Sequence, residues 1–516
     1  MKTSLHWALL GIVAATGLAA ATSPHIIHVS LPPRASSNTS QPVDHAFASF
    51  SLPAHFFADF TGNKSHPNLF SRDILDLLHK KTGAHPYVRL GGTSTDRLVY
   101  NASQSESVIL SEELENGIPL MVTVGPSWFE GFHNFPGSLW NFQANLASQG
   151  PEALNNTISV CEKVMDELKD KLVAFEIGNE PDLYALTKVR PATYTVYDYV
   201  QEWTRYAKAI SQKVLSGNSY GLPERTFFQG LVYATQNLGT FTTANAFDAG
   251  LNHTNYIKSV SLHHYSSGNQ PWVRLQNSFM NHTAVAGNLS AFKPDMDVIK
   301  RHNPNITFLL GETNSDYVNL NMTHVEGVFG SALWLIDYLL YGMTMNIARF
   351  NLIQGTTFGY TGWVPVRRNG LQPSVKPPLY GQIAVADIVG KNGRVQVQEV
   401  DLGIWNFSAY GIYECGKLSK YVLLNLDEWN STSTHRRPVQ RVTLHVPARA
   451  DKAIVRRLTG PGANVETGVK WGGLEWNYAA GRLVQSGKDK VEKIKPRRGQ
   501  LSVDIESSQC AVISFN

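Results

Sequence analysis

Two glutamates stand where this chain could do carboxylate chemistry. Glu180 lies in FEIGNEPDLY, three residues past an apolar run, and Glu312 lies in LLGETNS, directly after another. Such a pair can divide its labour, one acid giving and taking a proton while the other attacks or stabilises an electron-poor carbon. Polar residues of matching use accompany them. Arg89 in VRLGGTSTD ends a β-like run, where a guanidinium could hold a carboxylate ionised. Asn179 precedes Glu180 and offers an amide donor. His263 and His264 precede Tyr265 in SLHHY. The paired histidines suggest a metal, but no third ligand stands at zinc-like spacing, so no metal is expected and one of the two reads as a core or supporting histidine.

The acids can cooperate only if something brings them together. From residue 46 to 353 short apolar or β-branched runs alternate with longer amphipathic stretches, the pattern of repeated βα units. Eight strands are predicted, at 46–52, 86–90, 119–124, 172–177, 226–232, 258–265, 307–310 and 347–353. Leu69, Ile74, Leu77 and Leu78 share one helical face, as do Val160, Val164 and Leu168, and residues 328–343 are apolar almost all round. The expectation is an α/β fold, a (β/α)8 TIM barrel, in which residues at C-terminal strand ends face the mouth. After Pro373, Pro377 and Pro378 the chain turns to strands and turns such as YVLLNLDEW and CAVISF, which predict a C-terminal β-sandwich. HIIHVSLPP at 25–33 comes too early for the barrel and is expected to pair into that sandwich. The division read from sequence is a signal peptide at 1–21, an N-terminal strand segment at 22–45, a barrel at 46–380 and a β-sandwich at 381–516.

Composition narrows the function. The chain has 516 residues, a formal charge of +4, 43% hydrophobic and 17% charged residues, so a globular protein with no general attraction for nucleic acid is expected. Lys2, the apolar run Ala8–Ala15 and the alanines at 19–21 have the layout of a secretory signal, too short to span a membrane. Eleven Asn-x-Ser/Thr sequons, at Asn38, Asn63, Asn101, Asn155, Asn252, Asn281, Asn288, Asn305, Asn321, Asn406 and Asn430, fit a secreted, extracellular protein, and a monomer is expected. With Cys161, Cys415 and Cys510 the only cysteines, a Cys415–Cys510 disulfide and a buried Cys161 thiol are expected. GNSYG at 217–221 has the letters of a serine-hydrolase elbow but runs into Leu222-Pro223 and not a helix. The basic run KDKVEKIKPRR at 488–498 reads as a solvated hairpin. No Walker loop, G-x-G-x-x-G or H-E-x-x-H occurs, and no cofactor is expected.

Taken together, VRLGGTSTD, EIGNEPDLY and LLGETNS resemble glycoside hydrolase family 79, the β-glucuronidases related to heparanase, over essentially the whole mature chain. The resemblance implies a retaining glycosidase acting on glucuronic-acid-containing glycans, with Glu180 as acid/base and Glu312 as nucleophile. It implies that Asn179 donates to the sugar 2-hydroxyl, that Tyr265 orients the nucleophile, and that Tyr317 and Tyr360 hold the uronate carboxylate. Where relatives read SFSIEF in the first strand, with a glutamate that contacts sugar hydroxyls, this chain reads SFSLPAHF and places Pro53 there. The departure implies room at the sugar 4-position, as for a methyl or rhamnosyl cap on an arabinogalactan-type glycan, unless His55 replaces the contact. An endo-acting heparanase-like enzyme and a non-catalytic carbohydrate-binding barrel are the rival readings.

Overall fold

The computed structural model describes residues 26–268, 270, 272–317, 323–448 and 450–515, so the expected signal peptide and the Asn321 sequon lie outside the described residues. Eight parallel strands close a barrel: β1 (Ala48–Leu52), β2 (Val88–Leu90), β3 (Trp140–Ala144), β4 (Leu172–Ile177), β5 (Phe228–Tyr233), β6 (Ile257–Ser267), β7 (Thr307–Asp316) and β8 (Phe350–Ile353). β8 pairs with β1 and closes the ring. Around it pack α1 (Leu69–Thr82), α2 (Ala153–Leu168), α3 (Val196–Ile210), α4 (Phe329–Thr344) and α5 (Pro377–Val389). Ile74 and Leu78 bury the inner face of α1, whose N-terminus is capped by the Asn68 side chain accepting from the Ser71 amide at 3.0 Å. Val160, Val164 and Leu168 do the same for α2, and α4 is buried from Phe329 to Met343.

The third strand was misplaced by the sequence. The run at 119–124 contributes Val122–Val124 to a small three-stranded sheet with Leu98–Tyr100 and Val108–Leu110, inside the β2–β3 connection. The barrel strand is WNFQA at 140–144, preceded by a 3-10 helix at Pro126–Asn134 and no α-helix. Its Asn141 and Gln143 dilute the apolar signal, yet alternation places them on the opposite face from Trp140, Phe142 and Ala144. The strand is fully buried.

The C-terminal region is a β-sandwich, a nine-stranded sheet against a three-stranded one. In the smaller sheet the N-terminal strand Ile27–Val29 runs parallel to Val439–His445, which pairs antiparallel with Gln500–Glu506. Ile27, Val29, Val442, Leu444 and Val503 pack there against Tyr421, Leu423 and Ile513 of the larger sheet. Residue 380 falls within α5, and the first strand of the β-domain begins at Val395.

The expected Cys415–Cys510 bond does not form. Cys415 is exposed in the turn before the strand Lys417–Asn425, whereas Cys510 is buried opposite Leu424 near that strand's far end. Seven residues of strand separate them, about 23 Å at the usual rise, against a disulfide limit of about 7 Å between Cα atoms. All three cysteines are free thiols, and Cys161 is buried as expected.

A partly buried ionic cluster joins the two domains. Nδ1 of His282 lies 3.0 Å from Asp337 of α4, its Nε2 lies 2.8 Å from Glu399 of the β-domain, and the Tyr410 hydroxyl donates to Asp337 at 2.7 Å. Burial by itself would lower the imidazole, but the two carboxylates outweigh it and push its pKa up to about 10. A folded-state pKa raised above 6.5 gives stability that is fully present below 6.5 and is lost as pH rises toward about 10. His282→Ala is therefore expected to lower stability by about 3 kcal/mol at pH 6. Melting curves of the two proteins should converge as pH approaches 10; a pH-independent difference would contradict the charged pair.

Candidate active site

The site is built on a buried polar layer inside the barrel, and Arg89 of β2 is its centre. The fully buried guanidinium donates to Glu176 of β4 at 2.5 and 2.8 Å, to Glu312 of β7 at 2.6 Å, to Asn179 at 2.9 Å and to Ser51 of β1 at 3.2 Å. Gly91 makes this possible, because a Cβ there would stand 2.5 Å from the guanidinium carbon. Glu176 also accepts from Gln229 of β5, which bonds Ser259 of β6 at 3.1 Å. Four strands and one loop are thus tied beneath the mouth through a single cation.

Glu312 is aimed by a bulge. Leu262 of β6 pairs with Leu310 and His263 with Glu312, so Gly311 is the extra residue. A side chain at 311 would collide with the Ser261 hydroxyl at 1.9 Å. One Glu312 oxygen accepts from the Tyr265 hydroxyl at 2.6 Å and the other from Arg89. Burial would raise this carboxyl, but the charges of His263 and Arg89 and the two hydrogen bonds outweigh it and hold it below the ordinary carboxylate range. β7 continues past Glu312 to Asp316, so the acid lies within the strand, not after it.

Glu180 sits in a strained turn. Its φ is +52°, its amide donates to the Val232 carbonyl at 2.9 Å, and it opens the 3-10 turn Pro181–Leu183. Buried carboxylates brace the turn on both sides. Asp96 accepts from the Asn179 amide at 3.0 Å, from Tyr184 at 2.5 Å and from Gln143 at 3.0 Å; Asp182 accepts from the Ala234 and Thr235 amides, each at 3.0 Å. Burial raises both acids to about 6, against the pull of these bonds. Nδ1 of His263 lies 2.9 Å from Glu180, and its Nε2 has no partner among the described residues.

Strand alternation sorts SLHHY. His263 and Tyr265 face the mouth, while His264 turns outward to the Tyr338 hydroxyl of α4 at 2.6 Å, where burial lowers its pKa to about 4. His264 is thus the core histidine. Tyr360, buried, and Tyr317, 57% exposed, line the cavity with their rings 6.5 and 6.3 Å from that of Tyr265. The cavity holds about 520 Å³ and reaches Glu180, Glu312, Pro53 and His55.

Glu180, His263 and Glu312 bring ligand atoms within 4.8 Å of one another. The third ligand that sequence spacing did not reveal is therefore supplied by the fold. Those atoms already serve each other: both Glu312 oxygens accept hydrogen bonds, Glu180 meets His263, and a guanidinium stands beside Glu312 where it would repel a cation. Sequence reading missed Glu176, Gln143, Asp96, Gln229 and Asp182. Their signal was present in part, since Glu176 and Gln143 interrupt strand-like sequence with a polar residue, as Arg89 does.

Two glutamates facing one another in the mouth of a parallel barrel, one of them held by an arginine and a tyrosine, define a barrel glycoside hydrolase. Residues 409–512 match the glycosyl hydrolase family 79 C-terminal beta domain. The chain is 32% identical to a β-glucuronidase of Aspergillus niger over 505 residues, covering 92% of this chain and 91% of that one. It is 29% identical to a β-glucuronidase of Neurospora crassa, covering 91% and 90%. Its fold is similar to that of a 4-O-α-L-rhamnosyl-β-D-glucuronidase from Fusarium oxysporum, with a TM-score of 0.79 at 19% identity over 95% of this chain and all of that one. The likeness extends to a family 51 α-L-arabinofuranosidase of Bifidobacterium longum, with a TM-score of 0.63 at 11% identity over 96% of this chain and all of that one. The chain belongs to glycoside hydrolase family 79.

Proposed function

We propose that this protein is a secreted, retaining β-glucuronidase that removes glucuronic acid from the non-reducing ends of plant-type glycans such as arabinogalactan, including glucuronic acid capped at its 4-oxygen. The observation that carries the reading is the approach of Glu180 and Glu312 oxygens within 4.8 Å. Retaining enzymes hold their carboxyl groups about 5–5.5 Å apart, whereas inverting enzymes need about 6.5–9.5 Å to admit a water. Glu312, held ionised, attacks the anomeric carbon as Glu180 protonates the departing glycosidic oxygen. Glu180 then takes a proton from water, whose oxygen displaces Glu312 and releases the sugar with its configuration kept. Arg89 and Tyr265 orient the nucleophile, and His263 positions the acid/base. Asn179, its carbonyl engaged by Arg89, keeps its NH2 for the 2-hydroxyl. Tyr317 and Tyr360 donate to the uronate carboxylate.

Terminal action is favoured over internal cleavage because no lysine or arginine lines the cavity among the described residues. An endo-acting enzyme on an acidic polymer would gain from basic walls on both sides of the scissile bond. Export is supported by the signal-like N-terminus and by exposed sequon asparagines at 38, 63, 101, 155 and 305. The reading is tested with purified protein on an aryl β-glucuronide, an aryl β-glucoside, and an arabinogalactan bearing bare and rhamnose-capped glucuronic acid. Release of glucuronic acid or of the capped disaccharide, with the glucoside untouched, is expected. Sugar binding without cleavage would favour a non-catalytic barrel, and internal chain scission would favour the endo-acting rival.

A further inference from the structure

The basic run at 488–498 is solvated, as its composition predicts, but it is not a hairpin. It forms one edge strand, Glu492–Ile494, paired only with Ala453–Thr459 of the nine-stranded sheet. Arginines of that partner strand take both acids of the run in two-pronged bonds, Arg456 to Asp489 at 2.7 and 3.0 Å and Arg457 to Glu492 at 2.6 and 3.2 Å. Neither acid is left to neutralise a neighbour. Lys488, Lys490, Lys493, Lys495, Arg497 and Arg498 are all exposed, and none makes a side-chain hydrogen bond or ion pair among the described residues. With Arg456 and Arg457 the run carries a net +6, whereas the whole chain carries +4, so everything else sums to −2. Blunting an edge strand against pairing takes a charged side chain, not a cluster of six. Six unpaired cations repel one another, and a polyanion laid along them removes that repulsion.

We propose that residues 488–498 form a second glycan-binding surface, which holds a uronate-rich polysaccharide while the cavity acts on its ends; the choice of polymer rests on the glucuronidase reading above. No lysine or arginine lines the cavity among the described residues, so a polymer bearing many carboxylates finds its counter-charge on the β-domain and not at the site of cleavage. The run is also tied to the catalytic end of the barrel. The hairpin that precedes it, Leu474–Ala479 with Arg482–Gly487, rests on α1, where the rings of Tyr478 and Phe70 lie 5.0 Å apart and Arg482 donates to Asp73 at 2.6 and 2.7 Å. Phe70 and Asp73 belong to the first turns of α1, and the helix N-termini of such a barrel stand at its mouth end. The strand Arg482–Gly487 leads from that contact to the run, about 20 Å at the usual rise. A long glycan can therefore touch the run and the cavity together, and a small glycoside cannot.

The test measures binding of the purified protein to polygalacturonate, a uronate polymer with no glucuronide to cleave, and to the same polymer fully methyl-esterified, which keeps the backbone and removes the charge. Wild type is expected to bind the free acid, to release it as salt is raised, and to ignore the ester. The combined variant Lys488→Gln, Lys490→Gln, Lys493→Gln and Lys495→Gln should bind about tenfold more weakly, since four exposed charge contacts are lost together. Its melting temperature and its kcat/KM on an aryl β-glucuronide should match wild type, while its KM on a glucuronic-acid-bearing arabinogalactan rises with kcat kept. A control that makes the same charge change at exposed lysines of the barrel, Lys163→Gln, Lys208→Gln, Lys213→Gln and Lys300→Gln, should bind like wild type. Undiminished binding by the first variant, equal weakening of both variants, or tighter binding to anionic phospholipid vesicles than to polygalacturonate would overturn the assignment. Inactivity of wild type on every glucuronide, with polygalacturonate binding intact, would overturn the glucuronidase reading alone.

Discussion

Replacing Glu312 with glutamine is expected to reduce glucuronide hydrolysis by a factor on the order of 10⁴ or more while the protein stays folded. Arg89 and Tyr265 meet the two glutamate oxygens at 2.6 Å each; glutamine keeps the size, its carbonyl can still accept from Arg89 and its NH2 can donate to the Tyr265 hydroxyl, but it cannot attack a carbon. The loss should appear in kcat as well as kcat/KM, because the missing bond forms only along the reaction path. A 2-fluoro-glucuronide with a good leaving group gives the complementary measurement. Fluorine destabilises the oxocarbenium-like transition states, so the wild-type protein should accumulate a covalent adduct that peptide mass mapping places on Glu312. An adduct on another residue, or appreciable turnover by the Glu312→Gln variant, would remove Glu312 from the role of nucleophile.

The second large effect is expected at Arg89. Substitution by methionine leaves Glu176 and Glu312 buried without the cation that serves both, and loss of one partner of a buried ion pair costs about 3–5 kcal/mol. Burial disfavours the charged guanidinium, but its two carboxylate partners outweigh that and raise its pKa above the ordinary arginine value. The pH dependence follows from Glu312. Its folded pKa is depressed below 4.5, so it contributes stability that is present above 4.5 and is lost as pH falls through the folded value. Urea unfolding of Arg89→Met should therefore show its full penalty near pH 7 and a smaller one in acid, where the carboxyl can take a proton. Activity should retreat from the acidic side as the Glu312 pKa rises. Lysine at 89 restores charge but lacks the planar fork that reaches Glu176, Glu312 and Asn179 together, so it should recover only part of the stability. Equal stability of wild type and Arg89→Met at pH 7 would deny the guanidinium its structural role.

Legibility in sequence varied with how locally each feature is encoded. β6 carries Ile257, Val260 and Leu262 and β7 opens on the apolar run Phe308–Leu310, and both were found. β3 was not, because its mouth-facing Asn141 and Gln143 interrupt the pattern that marks a buried strand, while the more apolar Val122–Val124 lies in a loop sheet. The same mechanism hid Glu176, which reads as an irregularity in LVAFEI until the barrel closes and presents it to Arg89. The disulfide expectation failed for a related reason. Membership of one strand-rich region says nothing about position along a strand, and the register puts Cys415 in a turn and Cys510 beside Leu424.

By itself, then, the sequence determined seven of the eight barrel strands, the barrel, the N-terminal strand's place in the sandwich and the two acids worth testing, because hydrophobic period and residue chemistry are carried by neighbours within a few positions. Tertiary structure alone decided which groups meet. Arg89 is 87 residues from Glu176 and 223 from Glu312, yet bonds both at under 3 Å. His263 reaches Glu180 across 83 residues, and His55 is left on the cavity wall with neither nitrogen engaged among the described residues. Such meetings depend on barrel closure, strand register and the bulge at Gly311, each a property of many distant pairings at once, and a linear pattern does not contain them.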